Sequence, residues 1–326
     1  MTAGPDPSDG PEALPRRRMA LPHFPVELAP PDITPWLAGN TGVAGFTSFA
    51  GPAPGPHVML VALTHGNELA GAIVLDQLLR AGPHPRCGRL TLGFANLAAF
   101  ARFDRDQPTA SRFVEEDMNR LWDAASLDGS RRSVELDRAR AMRDLVESAD
   151  VLMDLHSMLW PSEPLILSGS TARGQALAGA VGAPALVVAD RGHLSGRRMI
   201  DYGNFADPDA TATAVLVEAG QHWQPSTVAT TQASVTGLLR HLGMIEGGPV
   251  ESTARFAEVT HVVTAATASF AFVRSFHGGE VVPHENTVIA VDGDAEIRTP
   301  YNDCLLVMPS LRPSRGHTAV RLARFG

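Results

Sequence analysis

Apolar residues are concentrated in short runs that recur between residues 57 and 220. The runs HVMLVALT, DVLMDLHS and TAVLVEAG are almost uninterrupted, and each one ends in polar or small residues. A strand that is covered on both faces has this pattern, whereas a half-exposed strand alternates apolar and polar positions. We therefore predict strands over 57–64, 89–96, 150–157, 164–169, 184–190 and 213–220.

Stretches in which apolar residues recur at helical spacing lie between these runs. ELAGAIVLDQLLRAG (68–82) has this spacing, and Gly82 stands where a helix C-cap belongs. SVELDRARAMRDLVESA (133–149) is amphipathic, and Ser133 suits its N-cap. Further helices are predicted from about residue 172 and over 227–243. This alternation predicts an α/β fold with a mixed, largely parallel central sheet flanked by helices.

The pattern changes at IEGGPVES (245–252). Beyond it, short β-rich runs are separated by glycine, proline and asparagine, without helical spacing. We therefore expect three parts, which are a flexible N-terminal arm (1–34), a catalytic α/β domain (35–247) and a smaller all-β C-terminal domain (248–326).

Composition narrows the class of protein. The chain has 326 residues, of which 44% are apolar and 19% charged, as in an ordinary globular protein. Its net charge of −8 argues against nucleic acid or an anionic membrane as the main partner, although a local group of arginines could still bind a small anion. Two cysteines are too few for a disulfide framework, and no secretory signal or membrane-spanning run is evident. We expect a cytoplasmic protein.

Two predicted strand ends carry metal-ligating side chains. His65 and Glu68 form an H-x-x-E pair where a strand runs into a helix, and His156 ends another strand. Because the carboxyl ends of parallel strands share one sheet edge, the three side chains can converge. Two histidines and a carboxylate with an open fourth position are a catalytic zinc set. The alternatives are a capping glutamate beside an unrelated histidine, and a strand-end histidine bonded to a loop.

Two further carboxylates lie at strand ends, Asp154 beside His156 and Glu218 on another strand. Asp154 is two residues before His156 and therefore on the same side of the strand, where it could orient that histidine. Glu218 ends the run 213–220, a place that disfavours an ionisable group without a partner or a function. Beside a zinc ion it would act as a general base, and otherwise it would form a salt bridge.

The polar stretch SRFVEEDMNRLW (111–122) offers donors for an anionic group. Arg112 could hold a carbonyl and the oxyanion that develops from it. The adjacent Asn119 and Arg120 could bind a carboxylate through several converging donors. Composition alone favours a solvated charged loop instead.

The motifs THGNELAG, ANLAAFARF, SRFVEEDMNRLW, DLHS and VEAG, in this order, resemble those of the succinylglutamate desuccinylase/aspartoacylase family, a branch of the zinc carboxypeptidase superfamily. The resemblance covers roughly residues 57 to 243, and such enzymes also carry a β-rich C-terminal domain. It implies a zinc carboxypeptidase-like fold and one zinc ion. It also implies roles for individual residues: zinc ligands at His65, Glu68 and His156, a carbonyl-polarising Arg112, a base at Glu218, and binding of the substrate α-carboxylate by Asn119 and Arg120.

The chain departs from the family pattern in two places. DRDQPTA (104–110) looks like extra sequence before Arg112, so Arg102 or Arg105 could take its role. Met158 follows DLHS where a threonine is expected. The C-terminal domain has no securely matching motif, and Tyr301 is offered as a candidate substrate-pocket residue.

The resulting hypothesis is a zinc-dependent amidohydrolase that cleaves the amide of a small anionic N-acyl amino acid. A metallocarboxypeptidase for short peptides would use the same zinc and bind the substrate carboxylate in the same way. An open cleft rather than a capped one would favour this alternative. A non-catalytic metal-binding protein is the other alternative, although it would be expected to lack the base or a ligand. The sequence leaves open the acyl group, the amino acid and the formation of a homo-oligomer.

Overall fold

The computed structural model describes residues 24–192, 196–248, 250–251 and 253–326. The first 23 residues of the predicted N-terminal arm lie outside the described residues. Residues 24 to 33 have no helix or strand, and Leu28 packs against Leu69 and Trp223 of the α/β part. No helix within the described ranges is long and apolar enough to cross a membrane.

Strands and helices alternate through the first two thirds of the chain. The strands are β1 (Phe46–Ala50), β2 (Ala53–Ala62), β3 (Cys87–Phe94), β4 (Val151–Met158), β5 (Leu165–Leu167), β6 (Leu186–Ala189) and β7 (Thr213–Gln221). The helices are α1 (Leu69–Ala81), α2 (Leu97–Phe100), α3 (Ala124–Asp128), α4 (Val134–Glu147), α5 (Ala172–Val181) and α6 (Pro225–His241). Short 3-10 helices cover Thr34–Trp36, Met118–Arg120, Met199–Asp201 and Gly203–Phe205.

Both predicted helix caps form. α1 ends at Gly82, whose φ of 68° is in the left-handed region and whose N–H donates to the Leu79 carbonyl. α4 begins after Ser133, whose side chain accepts a hydrogen bond from the N–H of Leu136. Local sequence chemistry therefore sets where these helices begin and end.

One sheet runs through the whole molecule. Within the described residues its strand order is β1-β3-β2-β4-β7-β5-β6-β8-β14-β13-β10, where the last four belong to the C-terminal part. The pairs β3–β2, β2–β4, β4–β7, β5–β6 and β6–β8 are parallel, and the other pairs are antiparallel. Alternate residues of β2 enter two separate apolar clusters, which explains its continuous apolar sequence.

The regular elements among the described residues of the C-terminal part are all strands: β8 (Arg255–Thr264), β9 (Ala271–Phe272), β10 (Val281–Val282), β11 (Val288–Asp292), β12 (Ala295–Arg298), β13 (Cys304–Val307) and β14 (Thr318–Phe325). Its β12, β11 and β9 form a second, antiparallel sheet. The predicted α/β fold with a largely parallel central sheet and an all-β C-terminal part is thereby confirmed. Because β8 pairs with β6, the C-terminal part extends the central sheet.

Candidate active site

Three neighbouring parallel strands carry the candidate site at their carboxyl ends. β4 lies between β2 and β7, so His156 on β4 is paired in register with Glu218 on β7. β2 ends at a buried turn in which Leu63 adopts a φ of 59°, and this turn leads to His65. Gly66 is required there, since a Cβ would lie 2.4 Å from the carbonyl carbon of Ala99. Glu68 then stands at the N-cap of α1.

The structure brings His65, Glu68 and His156 together. One ligand atom from each lies within 4.8 Å of the others, and all three residues are buried. Nδ1 of His65 is 2.8 Å from Oε1 of Glu68, and Nδ1 of His156 is 3.0 Å from Oε2. Both histidines therefore turn the same ring nitrogen toward one carboxylate, an arrangement that a shared cation can occupy.

The second nitrogen of each ring faces an aspartate. Nε2 of His65 is 2.9 Å from Oδ1 of Asp117, and Nε2 of His156 is 2.7 Å from Oδ2 of Asp154. Carboxylates in this position fix the tautomer of a metal-ligating histidine and strengthen it as a ligand. The period of two along β4 predicts Asp154, whereas sequence reasoning missed Asp117 because that residue comes from a distant loop.

The charges of the cluster are strongly coupled. Burial would raise the pKa of Glu68, but the charges and hydrogen bonds of His65 and His156 hold it well below its ordinary value. Burial also opposes the charged form of His156, yet Asp154 and Glu68 raise its pKa well above the usual range. Asp117 is partly buried, which would raise its pKa, but His65 and Arg112 keep it well below normal.

This donor set fits a zinc ion. Two imidazole nitrogens and a carboxylate are its usual ligands at catalytic sites, with one position left open. Each histidine is already oriented by an outer carboxylate, as metal-bound histidines are. The three residues are buried and already close together, so little chain entropy would be lost on binding.

Glu218 lies in the same cavity as this cluster. Burial raises its pKa to about 8, with the charge of Glu68 adding to the rise and His156 and Arg112 opposing it. Its Oε2 has no hydrogen-bond partner among the described residues. A buried carboxylate that titrates near neutral pH can take up and release a proton, which a salt-bridged carboxylate cannot do.

Arg112 lies next to the cluster. Its Nη1 is 3.2 Å from Oε1 of Glu68, and its Nη2 is 3.0 Å from Nε2 of His65. Burial opposes its charge, but Asp117 and Glu68 outweigh burial and raise its pKa. Of the two alternatives named from the sequence, Arg105 instead donates to the backbone carbonyl of Val26, and Arg102 does not line the cavity.

Asn119 and Arg120 lie behind the cluster rather than in the cavity wall outlined by the described residues. Asn119 accepts the N–H of Met199 through Oδ1, and its Nδ2 is 3.4 Å from Nε2 of His156. Arg120 donates to the carbonyl of Asn119, and burial lowers its pKa to about 10. Their part in binding a substrate carboxylate stays a prediction.

The C-terminal part forms the outer wall of the cavity, whose volume is about 210 Å³. Its lining residues from that part are Met308, Pro309, Ser310, Thr318 and Arg321. Arg321 is buried and lies 3.1 Å from Asp190. Met158 and the buried His222 line the cavity from the α/β part. Burial lowers the pKa of His222 to about 4.

Sequence reasoning missed Arg321 and His222. Arg321 had no sequence signal, because only the pairing of distant strands brings it near the cavity. His222 follows Glu218 by four residues at the end of β7, so the same strand-end argument could have found it.

Tyr301 lies elsewhere. It belongs to the apolar core of the C-terminal part, its hydroxyl is 2.6 Å from that of Thr260, and the guanidinium of Arg324 lies over its ring. It is not among the described residues that line the cavity. The sequence-based suggestion that Tyr301 is a pocket residue is therefore not supported, because its ring is used in the core.

Known proteins share both the sequence pattern and the fold. Residues 54–242 match the model of the Succinylglutamate desuccinylase/Aspartoacylase catalytic domain. A succinylglutamate desuccinylase of Pseudomonas aeruginosa is 32% identical over 132 residues, which are 38% of this chain and 37% of that protein. The match thus spans little more than a third of the curated relative.

Solved structures extend the likeness of the fold. The succinylglutamate desuccinylase of Vibrio cholerae superposes with a TM-score of 0.67 at 16% identity, over 86% of each chain. A succinylglutamate desuccinylase/aspartoacylase of Rhodobacter sphaeroides gives 0.64 at 20% identity, over 86% of this chain and 88% of that one. Since the family match covers more than half of the sequence, the chain belongs to the succinylglutamate desuccinylase/aspartoacylase family.

Proposed function

We propose that the protein is a zinc-dependent hydrolase that cleaves the amide bond of an N-acyl amino acid. The observation that carries the proposal is the placement of Glu218, a buried carboxylate with a pKa of about 8, in one cavity with His65 and Glu68. Family membership supports the same reaction class. His65, Glu68 and His156 would hold the metal.

Different residues of the chain contribute to different steps of amide hydrolysis. A zinc ion at this site would lower the pKa of a coordinated water and polarise the amide carbonyl. Glu218, which is buried in the cavity, takes a proton from the attacking water and passes it to the leaving nitrogen. The guanidinium of Arg112 stabilises the negative charge that develops on the carbonyl oxygen. Asn119 and Arg120 would bind the carboxylate of the amino-acid half.

The size of the cavity favours a small substrate over a peptide. About 210 Å³ is below the range of roughly 300–1,000 Å³ that is usual for drug-sized ligands. Residues of the C-terminal part, among them Pro309 and Arg321, form part of its wall. A carboxypeptidase also has to accommodate the rest of its peptide, so the small volume favours the N-acyl amino acid.

A substrate panel tests the proposal. The zinc-loaded protein is assayed with N-acetyl and N-succinyl amino acids that differ in both halves, beside dipeptides with the same C-terminal residues. We expect turnover of at least one N-acyl amino acid and little or none of the dipeptides. Faster cleavage of the dipeptides would favour the carboxypeptidase, and no bound zinc and no turnover after zinc addition would favour a non-catalytic protein.

Glu218→Gln tests the mechanism. The amide cannot accept a proton, so kcat should fall by about 10²–10⁴-fold while zinc stays bound. Zinc content is measured beside kcat in the same preparation. A variant that keeps its zinc and a near-normal kcat would show that Glu218 is not the base.

A further inference from the structure

A third buried glutamate lies outside the cavity and outside the proposed chemistry. Glu135, in the first turn of α4, is fully buried. Its Oε1 accepts hydrogen bonds from the N–H of Val114 at 2.6 Å and from Nδ2 of Asn96 at 3.0 Å. Its Oε2 accepts from the N–H groups of Glu115 and Glu116 at 3.1 and 3.3 Å. One carboxylate thus binds three successive backbone N–H groups.

This contact requires a carboxylate in particular. All four partners are donors, so both oxygens must accept, and only an ionised carboxylate offers acceptors on both sides. In Glu135→Gln the amide NH₂ would face at least one of the N–H groups at 114–116. A buried donor left without an acceptor is unfavourable enough to displace a short loop segment.

The backbone that Glu135 holds connects directly to the candidate site. Arg112 lies two residues before Val114, and its carbonyl accepts the N–H of Gly66, next to His65. Asp117 follows Glu116 and bonds to Nε2 of His65. The segment 112–117 therefore has its two functional side chains on either side of the three N–H groups that Glu135 binds.

We propose that Glu135 is a positioning residue that sets the distance of Arg112 and Asp117 from the proposed metal ligands. It acts through the backbone of residues 114–116 and touches neither substrate nor metal. Loss of its charge would move Asp117 away from His65, weaken this histidine as a ligand, and misplace the guanidinium of Arg112. The consequence for catalysis rests on the proposed function, whereas the consequences for loop order and zinc affinity do not depend on the reaction.

Three variants separate positioning from mere stability. Glu135→Gln removes the charge, and Glu135→Asp keeps it on a shorter side chain. Asp292→Asn is the matched control, because Asp292 also accepts backbone N–H groups, those of Ala266 and Thr267, but in the C-terminal part. For each full-length variant we would measure the unfolding midpoint, zinc affinity by chelator competition, amide hydrogen exchange, kcat and KM.

Glu135→Gln should bind zinc about 10–100-fold more weakly, as expected when the outer partner of a metal ligand is lost. It should exchange amide protons faster at residues 111–120 and show a lower kcat. Glu135→Asp should recover part of each loss, and it serves as the test if Glu135→Gln does not fold. Asp292→Asn should lose stability but keep wild-type zinc affinity and kcat.

Wild-type zinc affinity and kcat in Glu135→Gln, at whatever stability, would overturn the proposal. If the wild-type protein itself neither bound zinc nor turned over substrate, the proposed function would fail. The positioning role would then be decided by hydrogen exchange in the zinc-free protein. Faster exchange confined to residues 111–120 and 65–67 would support it, and exchange raised uniformly over the chain would overturn it.

Discussion

Each histidine of the cluster has one ring nitrogen for Glu68 and one for an aspartate. The two aspartates are held differently, however. Asp154 is on a central strand and accepts a hydrogen bond from the hydroxyl of Thr64 at 2.8 Å. Asp117 is on a loop and also bonds to Arg112. The same chemical role thus depends on the core in one case and on a loop contact in the other.

Replacing either aspartate by asparagine should weaken zinc binding by about 10–100-fold, because the histidine loses the partner that fixes its tautomer. Asp117→Asn should also lower kcat, since Arg112 loses an ionic partner, whereas Asp154→Asn should act mainly on affinity. Chelator competition and steady-state kinetics would measure both effects. Asp76→Asn, in the middle of α1, is the control, and equal zinc affinity in all four proteins would contradict the assigned roles.

At the scale of elements, the sequence predicts those parts of the site whose positions follow from local patterns of residues. Apolar runs locate β2, β4 and β7, and His65, His156 and Glu218 follow because parallel strands share an edge. The short antiparallel edge strand β1 was not predicted, because FTSFA is only five residues long and lies directly before a glycine–proline turn. The family resemblance, not periodicity, supplied the roles of the loop residues.

α1 packs so closely on the strands that carry the site that Gly71 should not tolerate a side chain. A Cβ at Gly71 would lie 2.9 Å from Cβ of Leu155 on β4 and 3.0 Å from Cβ of Ala62 on β2. Gly71→Ala should therefore destabilise the protein by about 1–3 kcal/mol through overpacking, even though alanine favours helices. It should also weaken zinc binding, since Glu68 caps the same helix.

Gly248→Ala is the matched control for this prediction, because a Cβ there meets no atom within 4 Å. Urea unfolding of both variants gives the comparison. A Gly71→Ala protein as stable as the wild type, with wild-type zinc affinity, would mean that α1 can move away from the sheet without disturbing the site.

At the scale of the whole molecule, continuity of the sheet explains why the C-terminal part contributes to the cavity wall. β8 pairs with β6, and β14 with β8, so Arg321 on β14 reaches the cavity of the α/β part. No local pattern predicts such a pairing, because it depends on strands that are far apart in sequence. For the same reason, the sequence alone could not show that Tyr301 packs in the core of the C-terminal part rather than in the pocket.

The raised pKa of the buried Glu218 carboxyl should make the stability of the whole protein depend on pH. Its pKa is about 8 in the folded, metal-free protein, compared with an ordinary value of 4.5. Between these values the folded state keeps a proton that the unfolded state has lost, so stability from this group is present at low pH and declines as pH rises. One proton changes the free energy of unfolding by at most about 1.4 kcal/mol per pH unit.

Glu218→Gln isolates this contribution, because the amide cannot ionise. The raised pKa of His156 acts in the same direction, and the lowered pKa values of Glu68 and Asp117 act only on acidification, but all three groups remain in the variant. The variant should match the wild type in urea unfolding near pH 5 and become progressively the more stable protein up to pH 8 or 9. Parallel stability curves across that range would mean that Glu218 is already ionised in the folded protein. It would then be too weak a base to serve both proton transfers.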